Sequence, residues 1–236
     1  DIKVPIRFKY ILLSISLFIS CNSSKVQSDT SVSDAEETTS LVENEVAVVL
    51  EEAPKEVVYV DPDNLVKAYF ASGCFWCVEA IYEHTKGVQE VISGYSGGTT
   101  KNPTYESSNT GKTGHAEAVE VIYDSSVISF KELVNIYYGT QNIEQANGQG
   151  NDRGSQYRSI IFYSDASEKA IIEAKVSELL ASGLKPAAEV TKFDKFWIAE
   201  DYHQDYERLH PNQSYIRAVS VPRLNRFKKD FPDMVR

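Results

Sequence analysis

Cysteine is scarce in this chain of 236 residues: there are three, at Cys21, Cys74 and Cys77. Three thiols cannot build a disulfide framework, so the fold has to rest on an apolar core. Positive charge is also short, with 24 Lys and Arg against 34 Asp and Glu and a formal charge of −10, which leaves no basic face for nucleic acid. Methionine occurs once, at Met234. Soft metal ligands are too few for a zinc site: beyond Cys74 and Cys77 there are only scattered histidines, His84, His115, His203 and His210. The apolar run "YILLSISLFIS" is 11 residues long, too short to cross a bilayer core of about 30 Å as a helix. What is plentiful is apolar content, at 42%, and tyrosine, at 14 residues; this suits one globular domain with extensions.

The short apolar run has the length of a secretory signal core, and Lys3, Arg7 and Lys9 precede it. Its ending, "FISC", resembles the lipobox of bacterial lipoproteins, although Phe18 stands where that pattern more often has Leu. The expectation is a signal peptide at 1–20 and an acylated Cys21, holding the protein at a membrane of the bacterial cell envelope, in the periplasm or at the cell surface. An ordinary export signal or an apolar N-terminal helix are the alternatives. Residues 22–60 carry nine acids against Lys25 and Lys55 and few aromatics, so they cannot bury enough apolar area to offset their ordering entropy. Residues 21–63 are therefore expected to be a disordered, acidic, lipid-anchored tether.

From Asn64 the pattern becomes globular. Strands are expected at 65–71, 88–98, 115–124, 158–164 and 187–193, with helices from about Cys74 to His84, at 130–140 after the cap Ser129, and at 165–182. A polar, glycine-containing loop at 141–157, a short helix at 199–210 and an amphipathic tail complete the reading. This order of elements predicts an α+β two-layer sandwich with a mixed sheet. In "HAEAVEVIYD" the alternation puts Glu117 on the same face as Val119 and Val121, a carboxylate on the apolar side of a strand.

The stretch "SGCFWCVEA" places Cys74 directly after a strand and a glycine, at a helix start, where dipole and free amides would lower its pKa below the usual value of about 8.5. Cys77 lies one turn on along the same face, within reach of a disulfide. Spacing alone leaves three readings open: a redox pair, half of a metal site, or two small buried side chains. Phe75 and Trp76 are either core or an apolar pocket beside a nucleophile. Tyr105, beside an Asn-Pro turn, and Tyr157 and Asp152, in a polar loop, read equally well as ordinary loop residues.

The segments "GCFWCVEA", "GYSGG", "NPTYE", "TGHAEAVEVIYD", "QGNDRGSQYRSIIFY" and "AEDYHQDY", with the tail "PRLNRFKKDFP", resemble in order the A-type peptide methionine sulfoxide reductases, from about residue 65 to the end. The resemblance implies a ferredoxin-like core and reduction of the S epimer of methionine sulfoxide, free or in oxidised proteins. It also implies no bound cofactor, with a thioredoxin-like partner or a small dithiol as electron donor. It places the nucleophile on Cys74, the methyl-binding aromatics on Phe75 and Trp76, the essential acid on Glu117, the oxygen-binding tyrosines on Tyr105 and Tyr157, and a site-ordering aspartate on Asp152. Familiar members carry Gly where Cys77 stands, and many recycle through a cysteine in the tail. Residues 78–236 contain no cysteine. Cys77 is therefore expected to resolve a Cys74 sulfenic acid as a Cys74–Cys77 disulfide, in a protein acting as a monomer with its domain at 64–236. His203 reads as structural.

Two rival functions stand beside this one. A thioredoxin-like oxidoreductase would use both cysteines but has no need of Glu117, Tyr105 and Tyr157. A surface-binding lipoprotein that has lost activity would have no need of a reactive Cys74. On the N-terminal expectation, mass spectrometry of membrane-extracted protein should find an acylated peptide beginning at Cys21; a soluble product cut elsewhere would refute it.

Overall fold

A computed structural model describes residues 64–236; the expected signal peptide, the Cys21 acylation site and the 21–63 tether lie outside the described residues. Alternating apolar residues form β1 (Leu65–Ala71), which passes through Ser72 and Gly73 into α1 (Phe75–Glu83). There follow β2 (Val88–Ser96), a short α2 (Tyr105–Asn109), β3 (Ala116–Asp124) and α3 (Phe130–Gly139). The helix α3 starts where Ser129 and Glu132 cap each other's free amides, as the Ser–x–x–Glu spacing dictates. The polar loop holds a minimal hairpin, β4 (Gly148–Gln149) and β5 (Asp152–Arg153), and a 3₁₀ turn at Ser155–Tyr157. Then come β6 (Ile160–Tyr163), α4 (Ala166–Ala181), β7 (Glu189–Lys192), β8 (Phe196–Ile198), α5 (Tyr206–Leu209) and α6 (Val221–Asp230).

The main sheet runs β7-β6-β1-β3-β2-β8. Only β6 and β7 pair in parallel; the other neighbours are antiparallel. Its central four strands, β6-β1-β3-β2, have the βαββαβ connectivity of a ferredoxin-like core. One face carries the helices: Phe70, Val119, Val121 and Tyr95 pack against Phe75, Val78, Leu133, Ile172 and Phe227. The other face holds a smaller cluster of Tyr69, Ala71, Ala116, Ala118, Ile160 and Phe162, covered by Phe193 and Phe196. Glu120 lies on that second face, where Lys67 and the Tyr69 hydroxyl both donate to it. No helix among the described residues is long and apolar enough to cross a membrane.

The helix expected at 199–210 is broken. A 3₁₀ turn at Asp201–His203 and the one-turn α5 are separated by Gln204 in an extended conformation and Asp205 in the left-handed region. The cause is the Gln204 amide, which accepts from the Ser93 N–H and donates to the carbonyls of Ser93 and Ala199. A side chain thus takes the place of a strand partner at the edge of β2, and a continuous helix would break those three bonds.

Gly73 sets the turn into α1 with φ +75°, and a Cβ there would lie 2.7 Å from the Gln149 Cβ. Gly73→Ala should therefore lower stability by about 1–2 kcal/mol from the left-handed backbone alone, read as a shift in the denaturation midpoint. An unshifted midpoint would mean that this turn relaxes freely.

Candidate active site

Four parts of the chain meet beyond the end of β1. The turn after Gly73 delivers Cys74, Phe75 and Trp76; β3 delivers Glu117; α2 begins at Tyr105; and the loop after α3 delivers Asp152 and Tyr157. These seven residues, with Gln213 and Tyr215, line one cavity of about 300 Å³. A larger cavity of about 480 Å³, on the Phe162 side of the sheet, contains none of them. Cys77 lies beneath Cys74, one turn along α1, and does not line the 300 Å³ cavity.

Glu117 is 2% exposed and faces Tyr95 across the β2–β3 ladder. The Phe75 N–H donates to its Oε2 at 3.0 Å. One amide does not offset the loss of water around a carboxylate, so burial pushes Glu117 up to about 8. It is a carboxylic acid at neutral pH. Tyr105 and Tyr157 are held above the ordinary phenol range, first by burial, and stay neutral donors. The Tyr157 hydroxyl reaches Asn109 at 3.5 Å.

The expected lowering of Cys74 does not occur in the free protein. Burial, a hydrogen bond with Cys77 and the charge of Glu117 push Cys74 well above the usual thiol range. Cys74 is the N-cap of α1, but the Phe75 amide at the helix start points at Glu117. Cys77 takes the anionic role instead. Its hydrogen bond from Cys74, then Arg223, Ser220 and Tyr215, bring it down to about 7 against the opposing effect of burial. Both thiols are free and buried.

Trp76 is fixed by three aromatic neighbours. Its indole N–H donates to His203 Nδ1 at 3.2 Å, its ring stacks on Tyr206 at 3.7 Å, and Tyr215 meets its edge. His203 is 1% exposed and also touches Phe75 and Tyr105, so it shapes the aromatic wall without lining the cavity. Glu200 accepts from the Tyr105 N–H and from the Tyr95 hydroxyl, both at 2.9 Å. Glu200, Tyr206, Gln213 and Tyr215 are participants that sequence reasoning did not single out. The one available signal was that Glu200 and Tyr206 fall inside "AEDYHQDY". Tyr215 lies in a stretch with no motif, yet its hydroxyl donates to Asp152 Oδ2 at 2.5 Å and lies 3.8 Å from Cys77 Sγ. Among the described residues, no group of three or more His, Cys, Asp or Glu is placed to hold a metal.

Residues 66–234 match the family described as peptide methionine sulfoxide reductase. The chain is 44% identical over 170 residues to the peptide methionine sulfoxide reductase MsrA of Saccharolobus solfataricus, across 72% of this chain and 96% of that protein. Among solved structures it is similar to methionine sulfoxide reductase A of Corynebacterium diphtheriae, with 34% identity and a TM-score of 0.59 over 65% of this chain and 78% of that one. It is also similar to Mxr1 from Saccharomyces cerevisiae in reduced form, with 28% identity and a TM-score of 0.60 over 67% of this chain and 92% of that one.

The buried acids give stability a pH dependence. Glu117 and Glu79, each 2% exposed, are both raised by burial to about 8 from the ordinary 4.5. Through neutral pH the folded protein keeps two protons that the unfolded chain has released. Their contribution is complete below the unfolded value and is lost as pH rises to the folded one. The denaturation midpoint should thus fall between about pH 5 and about pH 8, and Glu117→Gln should flatten the slope. A midpoint that rises across this window would contradict the assignment.

Proposed function

The chain belongs to the peptide methionine sulfoxide reductase family and reduces methionine sulfoxide; from that premise we propose that it acts on the S epimer, free or in oxidised proteins, with Cys74 as nucleophile and Glu117 as acid. The observation that carries this reading is the cavity in which a thiol, a carboxyl that is protonated at neutral pH and two neutral phenols converge. A sulfoxide sulfur is a poor electrophile until its oxygen is protonated or strongly hydrogen-bonded. Phe75 and Trp76 hold the methyl group, Glu117 supplies the proton, and Tyr105 and Tyr157 donate to the same oxygen as an oxyanion hole would.

Cys74 then attacks sulfur. Its proton has a nearby acceptor in Cys77, whose hydrogen bond with Cys74 keeps it anionic near neutral pH. The sulfur–oxygen bond breaks and frees the protonated oxygen as water. Water then attacks Cys74 Sγ and returns a proton to Glu117; the bond between Cys74 and the substrate sulfur breaks with its electron pair going to methionine, and Cys74 Sγ is left as a sulfenic acid. Cys77 attacks that sulfur, the hydroxyl departs as water, and a Cys74–Cys77 disulfide remains for a thioredoxin-like dithiol to reduce. Asp152 holds Tyr215 over the thiol pair through their hydrogen bond. The proposal takes the enzyme to act as a monomer. The proposal includes lipid on Cys21 and a tether over 21–63, attaching the enzyme to a bacterial envelope membrane; the order of basic residues, apolar run and cysteine supports it.

Separated sulfoxide epimers, assayed with dithiothreitol, provide the test: the S epimer should turn over, and reduction of the R epimer alone would sink the assignment. Glu117→Gln should slow the chemical step by about 10²–10⁴-fold with little change in affinity. Cys77→Ser should still release one methionine per enzyme but lose most turnover with thioredoxin, and Cys74→Ser should lose both. Normal thioredoxin-dependent turnover by Cys77→Ser would remove its resolving role.

A further inference from the structure

Cys74 and Cys77 touch each other, yet they open into different cavities. Cys74 lines the 300 Å³ cavity where the sulfoxide is read to bind. Cys77 lines a second cavity, of about 170 Å³, together with Gln141, Gln149, Asp152, Arg223 and Arg226. Asp152 lines both, and it accepts a hydrogen bond from Tyr215, which lines the first.

The second cavity has an unusual charge. Arg223 is only 7% exposed, and its guanidinium donates to the Thr140 carbonyl, the Ser72 carbonyl and the Ser72 hydroxyl, at 2.8, 2.8 and 2.9 Å. All three acceptors are neutral. A buried cation needs an anion nearby. In the reduced protein the Cys77 thiolate, in the same cavity lining, supplies it, and the Arg223 charge is in turn one of the influences that lower the Cys77 pKa, after the Cys74 hydrogen bond. Disulfide formation removes that anion and leaves two cations, Arg223 and exposed Arg226, against the single carboxylate of Asp152, which accepts from Tyr215. The oxidised protein therefore holds, beside its disulfide, a positive site that the reduced protein lacks.

We propose, resting on the disulfide reading above, that the cavity over Cys77 is a binding site for a small thiol carrying a negatively charged group, and that the reductant enters there rather than through the substrate cavity. Thiol–disulfide exchange brings the attacking thiolate onto one sulfur from the side away from the sulfur that leaves. From the second cavity, Cys77 is the sulfur attacked. A new bond forms between the external sulfur and Cys77 Sγ, the Cys74–Cys77 bond breaks, and Cys74 departs as a thiolate. A second external thiolate then attacks the external sulfur of the mixed disulfide, releases Cys77 as a thiolate, and leaves as the oxidised dimer. Two external thiols are oxidised and one protein disulfide is reduced. Because the two routes are separate, methionine need not leave before reduction begins.

The experiment starts from full-length enzyme converted to its disulfide by one equivalent of sulfoxide. Reduction is followed with 2-mercaptoethanesulfonate, an anion, and with cysteamine, a cation, at matched thiolate concentration and low salt. The anion should be faster by about fivefold for each unit of charge difference, and Arg226→Glu should reverse or abolish the preference. In acid-quenched reactions, peptide mapping should find the mixed disulfide on Cys77 with Cys74 free, and saturating N-acetylmethionine amide should leave the reduction rate unchanged. An adduct on Cys74, competition by the methionine analogue, or equal rates with the two thiols would overturn the proposal. If no Cys74–Cys77 disulfide forms after a single turnover, the resolving role of Cys77 fails instead, which the first step of the experiment reports separately.

Discussion

A single hydrogen bond, from the Phe75 amide to Glu117 Oε2, joins the start of α1 to the middle of the sheet, and the chemistry of the site is organised around it. Glu117 emerges from β3 among apolar neighbours, where a charged carboxylate would be costly. It keeps its proton, and its one strong donor is the amide that a helix start would otherwise offer to an anion at the N-cap. Cys74 occupies the N-cap of α1 without a side-chain cap bond; burial first, then its interaction with Cys77, keeps its thiol protonated in the free protein, and the negative charge settles on Cys77.

The segment after β8 acts as a brace around this arrangement. Gln204 pins it to the edge of β2, Glu200 binds the amide of Tyr105 and the hydroxyl of Tyr95, Tyr206 stacks on Trp76, and Arg223 reaches back to Ser72, two residues ahead of Cys74. Most of these bonds are made by side chains to distant backbone or to other side chains. A chain region with little regular structure can be held in this way because most of its buried polar side chains find partners elsewhere in the fold.

The sequence was informative where structure follows from short-range rules. Strand alternation put Glu117 beside Val119 and Val121, and both valines lie with it on the helix-bearing face. The cap at Ser129 placed the start of α3 correctly. Gly73 before Cys74 marked a turn that only a residue tolerant of positive φ takes easily. The helix at 199–210 failed for a reason of the same physical kind but longer range: Gln204 has a better partner at Ser93 than any helical neighbour, and nothing within a window of ten residues contains Ser93. The strand β8 escaped notice because three residues carry no readable period.

What the residues determined unaided was the order of strands and helices, the turn that presents Cys74, and the presence of an acid on an apolar face, since each depends on period, backbone conformation or spacing along the chain. Only the tertiary structure decided which thiol carries the charge, that Asp152 lines two cavities at once, and that a buried arginine with neutral hydrogen-bond acceptors lies in the lining with Cys77. Those properties depend on desolvation and on the distance between groups as remote as Ser72 and Arg223, and neither quantity exists until the chain has folded.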